Sequence, residues 1–273
     1  MHALRLAQVL RASMAVMLAV AGGAAAAGPD EDYALAQQQF DRRVAEARLE
    51  HRMPRLADPS FRQIIKTLSD RQRFLESRTF APADLDALMV MCNGSNRSMM
   101  AYAFSGLGDV SPRTVLDPVK RAEMGPAAAR NAATFQDEMT LLLAFNMQCT
   151  GKALPLINAM VATFKPELLN AQQRNGIAAM RAGALKMLIG GAGSVTDAAM
   201  SKENKRKIVT AASINAPIFA ESVEPSSRKQ AHDYLESIAG RVPPKFLVPF
   251  RHIIVATTRQ DCNALCAAPG GGK

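Results

Sequence analysis

DPSFRQIIKTLSDRQRFL, residues 58–75, is the stretch that decides the fold class. Asp58-Pro59 has the form of a helix start: a capping carboxylate, then a residue whose fixed φ suits the first turn and whose missing N–H has no role there. Phe61, Ile64, Ile65, Leu68, Gln72 and Leu75 follow at helical spacing, with charged or polar residues between them. That period of 3.6 predicts an amphipathic helix that buries one stripe.

The same signature recurs on both sides. Tyr33, Phe40, Val44 and Ala47 predict a helix from Asp30 to about Arg52, and Met53-Pro54 ends it. Pro82 opens a third helix carrying Leu85, Leu88, Met89 and Cys92, and Asn93-Gly94 reads as its stop. Pro126 opens a long helix lined by Phe135, Met139, Leu142, Asn146 and Cys149, with Thr150-Gly151 as its end and a further helix from Lys152 to Phe164. Pro166 starts another that runs to Ile189. Gly190-Gly191-Ala192-Gly193 reads as a flexible linker and a possible subdomain break at 190–194. Thr196 to Val223 is helical with a break or kink at Pro217, and Pro225 to Ala239 is helical up to Gly240. Residues 246–258 fit a helix, but the β-branched run Ile253 to Thr258 also fits a strand. The expected fold is therefore all-α: a bundle or array of roughly nine to ten helices in one region, 28–266, followed by a disordered tail at 267–273.

The first 27 residues have a different character. Arg5 and Arg11 carry the only full side-chain charges before Asp30. An uncharged apolar run ends in small residues, and Ala25-Ala26-Ala27 matches the small-residue cleavage pattern of a signal peptide, with Gly28 as the new amino terminus. The run is shorter than the roughly 20 apolar residues a spanning helix needs. No other run approaches that length, so no transmembrane span is expected in the mature chain. These features predict a periplasmic or secreted protein of 246 residues (273 − 27), with a formal charge near +7 (9 − 2).

All four cysteines, Cys92, Cys149, Cys262 and Cys266, fall in the mature part, and in an oxidising compartment an even count reads as two disulfides. Cys92-Asn93-Gly94 and Cys149-Thr150-Gly151 resemble each other, which favours pairing Cys92 with Cys149 and Cys262 with Cys266. Cross pairings remain open at this stage.

Chemistry-bearing patterns are sparse. His232 and Glu236, four apart on a helix with Asp233 beside them, are the candidate acid–base or metal pair, although a solvated helix face explains the same spacing. Met89, Met91 and Cys92, with Met99 and Met100, form a soft-ligand cluster of the kind that suits Cu(I), but methionine is also a common core filler. Lys202, Lys205, Arg206 and Lys207 form the one concentrated basic run, interrupted by Glu203. No aromatic residues interleave with it, so no nucleic-acid partner is indicated. Dinucleotide, phosphate-loop, nucleophile-elbow and zincin patterns are all missing from the sequence, and no cofactor is implied. The expected function is non-enzymatic: binding or scaffolding an envelope protein or an anionic envelope component. The alternatives are a carrier of an apolar ligand, which calls for a large apolar cavity, and an enzyme with dispersed residues, which calls for a cleft converging on His232.

Overall fold

The computed structural model describes residues 30–50, 52–107 and 118–269, and among them it contains ten α-helices and no strand. The leader at 1–27, His51 and residues 270–273 lie outside the described residues. Helix α1 spans Asp30–Leu49, α2 Pro59–Leu68, α3 Leu85–Ala103, α4 Pro118–Thr134 and α5 Gln136–Ala162. Helix α6 spans Ala171–Gly193, α7 Lys202–Glu221, α8 Pro225–Ala239, α9 Leu247–Thr257 and α10 Ala264–Ala267. Helix α5 is the spine, with α3 along one flank and α7 along another. Helix α1 packs against α3 and α2, and α2 reaches α5, while α6 and α9 pack against α7. A single hydrophobic cluster runs from Tyr33 to Ala268.

The deciding stretch turns helical at Pro59 as expected, but the Asp58 carboxylate caps no N–H of α2 and instead accepts from the Arg55 N–H before it (3.0 Å). Phe61, Ile65 and Leu68 are fully buried. The helix does not continue to Leu75, however. The Ser69 hydroxyl donates to the Ile65 carbonyl (2.8 Å), and the Asp70 carboxylate accepts from the Arg73 N–H (3.0 Å), so the chain restarts as a π-helical turn, Gln72–Glu76. Ser and Asp divert backbone groups in this way because their short side chains compete for them.

Three glycine-containing signals were expected to end helices or link them, and all three lie inside helices. Helix α3 runs through Asn93-Gly94 to Ala103, and the chain turns only at Gly106, with φ 87°. Helix α5 runs through Thr150-Gly151 and Pro155 to Ala162, so no separate helix begins at Lys152. Residues 190–193 are the last turn of α6, not a linker. Each glycine marks a close crossing. A Cβ on Gly94 would lie 3.0 Å from Gln37 Oε1, one on Gly151 1.8 Å from Asn215 Oδ1, and one on Gly191 2.4 Å from the Ala212 Cβ. Helix α7 likewise continues through Pro217, and α4 through Pro126. The β-branched run at Ile253 is helix α9, since Phe250, Ile253 and Ala256 bury one stripe against α7.

Gly191→Ala tests the crossing. The added methyl meets the Ala212 methyl, so the helices must part, at about 1–3 kcal/mol. Gly176 lies on the same helix with open space where a Cβ would go. There alanine gains up to about 1 kcal/mol of helix propensity. The Gly191→Ala protein is expected to be about 2 kcal/mol less stable than the Gly176→Ala protein in urea unfolding, and equal stabilities would refute the close crossing.

Both favoured disulfides are present, Cys92–Cys149 and Cys262–Cys266. The likeness of Cys92-Asn93-Gly94 to Cys149-Thr150-Gly151 has a structural reason. Two residues along a helix is about 200° around it. The cysteines of α3 and α5 face each other, while the glycines two positions on face outward to α1 and α7.

Polar side chains lock this interface from within. The Tyr33 hydroxyl donates to the Met91 carbonyl (3.0 Å), Ser95 to the Leu142 carbonyl (3.0 Å) and Asn146 to the Cys92 carbonyl (2.9 Å). Tyr102 donates to the Pro54 carbonyl (2.9 Å). Burial pushes both phenols well above their ordinary range, so they stay neutral and able to donate.

Candidate functional site

Helices α7 and α9 build the most distinctive surface. They run parallel, and three contacts set their register. Lys245, just before α9, lies within the field of Lys202 and Lys205 at the start of α7. Ser213 Oγ is 3.5 Å from His252 Nδ1. Arg259, just after α9, donates to Glu221 at 2.5 Å. Val248, His252, Val255 and Arg259 are spaced four, three and four apart, which is one line along a helix. His252 and Arg259 reach α7, while Val248 and Val255, two positions from the buried Phe250 and Ile253, face solvent. On α7, Ile214 is also turned outward, two positions from the buried Ala212 and Ala216. All three apolar side chains are more than half exposed.

Cations crowd the amino-terminal end of the two helices. Lys202, Lys205 and Lys245 come together there, and Arg206, Lys207 and Arg251 lie on the exposed sides of the two helices. Two carboxylates stand among them: Glu203, which accepts two bonds from Arg206 (2.8 and 2.7 Å) and pairs with Lys207 at 3.6 Å, and Asp137 of α5, which accepts from Asn204 in the first turn of α7 (2.7 Å). Glu203 is held below the usual carboxylate range, first by the Arg206 hydrogen bond. Lys245 is held below the usual lysine range, first by desolvation and then by Lys202 and Lys205. Its ammonium rests 4.7 Å from the Phe246 ring centre. The basic run seen in sequence is thus enlarged by residues about 40 positions away, and half of its original charge is shared with Glu203.

The other candidates are arranged differently. His232 is half-buried and its Nδ1 lies 3.1 Å from the Thr257 hydroxyl, which ties α8 to the end of α9. Glu236 is exposed, and Asp233 pairs with Lys229 (2.8 Å). Among the described residues no three His, Cys, Asp or Glu side chains come together as a metal-binding group. The sulfur of Cys92 is bonded to Cys149 and offers no thiolate. Met91, Met99 and Met100 are buried in the core, and of that cluster Met89 and the disulfide-bonded Cys92 border a pocket.

Lys245, Arg251, Ile214, Val248 and Val255 were missed in the sequence. Lys245 carries no signal linking it to Lys202, because only the register of two distant helices joins them. The seven-residue spacing of Val248 and Val255 was legible, but it was masked by the richer apolar stripe of the same helix.

These features define an all-α, disulfide-stapled helical array with a basic and apolar two-helix face. No protein-family model matches the chain, and neither a curated protein nor a solved structure matches it.

Proposed function

We propose that the protein is an exported, non-enzymatic component of a bacterial envelope, held reversibly on an anionic membrane surface by the α7–α9 face. The observation that carries this reading is the gathering of Lys202, Lys205 and Lys245 at one end of two helices that also expose Ile214, Val248 and Val255. A soluble polyanion would need only the charges. A bilayer uses both parts, because lysines and arginines near an anionic leaflet contribute about 1 kcal/mol each, and exposed valine and isoleucine gain by leaving water. Among the described residues no helix is long and apolar enough to cross a membrane, so attachment would be peripheral. The leader-like amino terminus and the full pairing of all four cysteines support export to an oxidising compartment.

Sedimentation with vesicles tests the reading. Binding to vesicles containing phosphatidylglycerol is expected, with little binding to pure phosphatidylcholine. It should weaken steeply as salt approaches about 1 M, where the screening length falls to about 3 Å. A Lys202→Glu, Lys205→Glu, Lys245→Glu protein is expected to bind at least about ten-fold more weakly. Equal binding to neutral vesicles, or indifference to charge reversal and salt, would overturn the membrane assignment. Binding that needs a protein from the envelope and no lipid would replace it with a protein partner. Export is checked separately by the mass of the protein recovered from the envelope fraction, which is expected to begin at Gly28.

A further inference from the structure

Helices α3, α5 and α6 leave a pocket of about 70 Å³ that opens to the surface. We propose that this pocket is a binding site for a small neutral molecule with a hydrogen-bonding head, an amide or alcohol, on a short aliphatic body. The inference is independent of the membrane-binding face.

Charge comes first. The described residues that line the pocket include no Asp, Glu, Lys, Arg or His. An ion entering it would lose hydration without gaining a counter-charge, so the site selects neutral ligands.

Hydrogen-bonding capacity comes second. Asn93 of α3 and Thr150 of α5 face the pocket, and among the described residues neither side chain has a hydrogen-bond partner. Asn146 spends its amide N–H on the Cys92 carbonyl (2.9 Å), which fixes the group and leaves its carboxamide oxygen without a donor among the described residues. A head group carrying both a donor and an acceptor would satisfy this set, whereas a hydrocarbon would leave it unmet.

Shape comes third. Met89, Met180 and Met187 wall the pocket with flexible thioethers that adapt to an aliphatic body. Gly183 on α6 lines it too, and a Cβ there would meet nothing within 4 Å. The glycine therefore keeps the space open without serving a helix crossing, unlike Gly191 on the same helix. Sites for drug-sized ligands run from about 300 to 1,000 Å³. At about 70 Å³, this pocket suits a molecule well below that size, with part of its body left in the open mouth.

The test uses protein with ¹³C-labelled methionine methyls, titrated with hexanamide and with hexanoate. Saturable shifts at Met89, Met180 and Met187, and not at the core residues Met139 and Met147, are expected with hexanamide and not with hexanoate. Gly183→Leu fills the hollow and should weaken hexanamide binding at least about ten-fold. The variant should keep the melting temperature or raise it, because leucine is the better helix former. Gly176→Leu, also on α6 but away from the pocket, makes the same change in propensity and should bind normally. Thr150→Val should weaken hexanamide about five-fold through loss of the hydroxyl alone. Equal response to hexanoate, shifts spread over other methionines, or full binding by a folded Gly183→Leu protein would each overturn the assignment. A response of the three methyls to Cu(I), held as its acetonitrile complex, without any response to hexanamide would replace the neutral ligand with a soft cation.

Discussion

Removing the α3–α5 disulfide, by Cys92→Ala with Cys149→Ala, is expected to cost about 4 kcal/mol of stability under oxidising conditions. The bond closes a loop with a sequence separation of 57, and the entropy it removes from the unfolded chain grows with the logarithm of loop length. The same arithmetic gives about 2 kcal/mol for Cys262–Cys266, with a separation of 4. For a chain of this size 4 kcal/mol corresponds to a fall of roughly 8–16 °C in melting temperature. Both sulfurs lie in the buried interface where Tyr33, Ser95 and Asn146 tie neighbouring backbones together, so the alanines also leave a small void that adds to the loss. Calorimetry of the two double variants side by side is the measurement. A larger loss from the carboxy-terminal pair than from the α3–α5 pair would show that loop closure does not set the ranking.

Helix class, buried stripes and disulfide pairing were legible because each follows from a local rule. Phe61, Ile65 and Leu68 announce their buried face by spacing alone, and the cysteines announce theirs by continuing the stripes of α3 and α5. The boundaries failed where one residue type serves two purposes. Glycine ends helices, since it tolerates the left-handed turn, and it also lets helices touch, since it has no Cβ. Gly106 does the first, whereas Gly94, Gly151 and Gly191 do the second. Nothing within a few residues separates the two roles, because the deciding atom belongs to another helix: Gln37, Asn215 or Ala212. The α7–α9 face and the pocket were illegible for the same reason. Lys245 joins Lys202, and Thr150 joins Met180, only after distant helices take their register.

The carboxy-terminal segment carries the second large expected effect, and at Ala267 and Ala268 it corrects the expected disordered tail. Ala267 closes α10, and Ala268 is buried. The cause is Arg181 of α6, only 6% exposed. Its Nε donates to the Leu265 carbonyl at 2.6 Å, its Nη1 to Glu224 at 2.5 Å and its Nη2 to the Ala268 carbonyl. The last carbonyls of a helix have no partner within it, and a cation is favourable there, so one guanidinium answers both needs. From the other side, Asn158 accepts from the Leu265 N–H (3.2 Å), and Arg228 donates to the Asp261 carbonyl (2.6 Å). Arg181→Met keeps the apolar stem and removes the fork. Two buried carbonyls then lose their donor, at about 3 kcal/mol together, while half-exposed Glu224 rehydrates and adds little. Because the segment is terminal, the loss should appear as local opening, with amide exchange at Leu265 and Cys266 about 100-fold faster and the centre of α5 unchanged. Arg181→Lys should recover only part of the protection, since a single ammonium cannot span both carbonyls in the fixed geometry of the fork. Exchange at Leu265 that stays as slow as in the parent protein would mean that the disulfide, and not the arginine, anchors the segment.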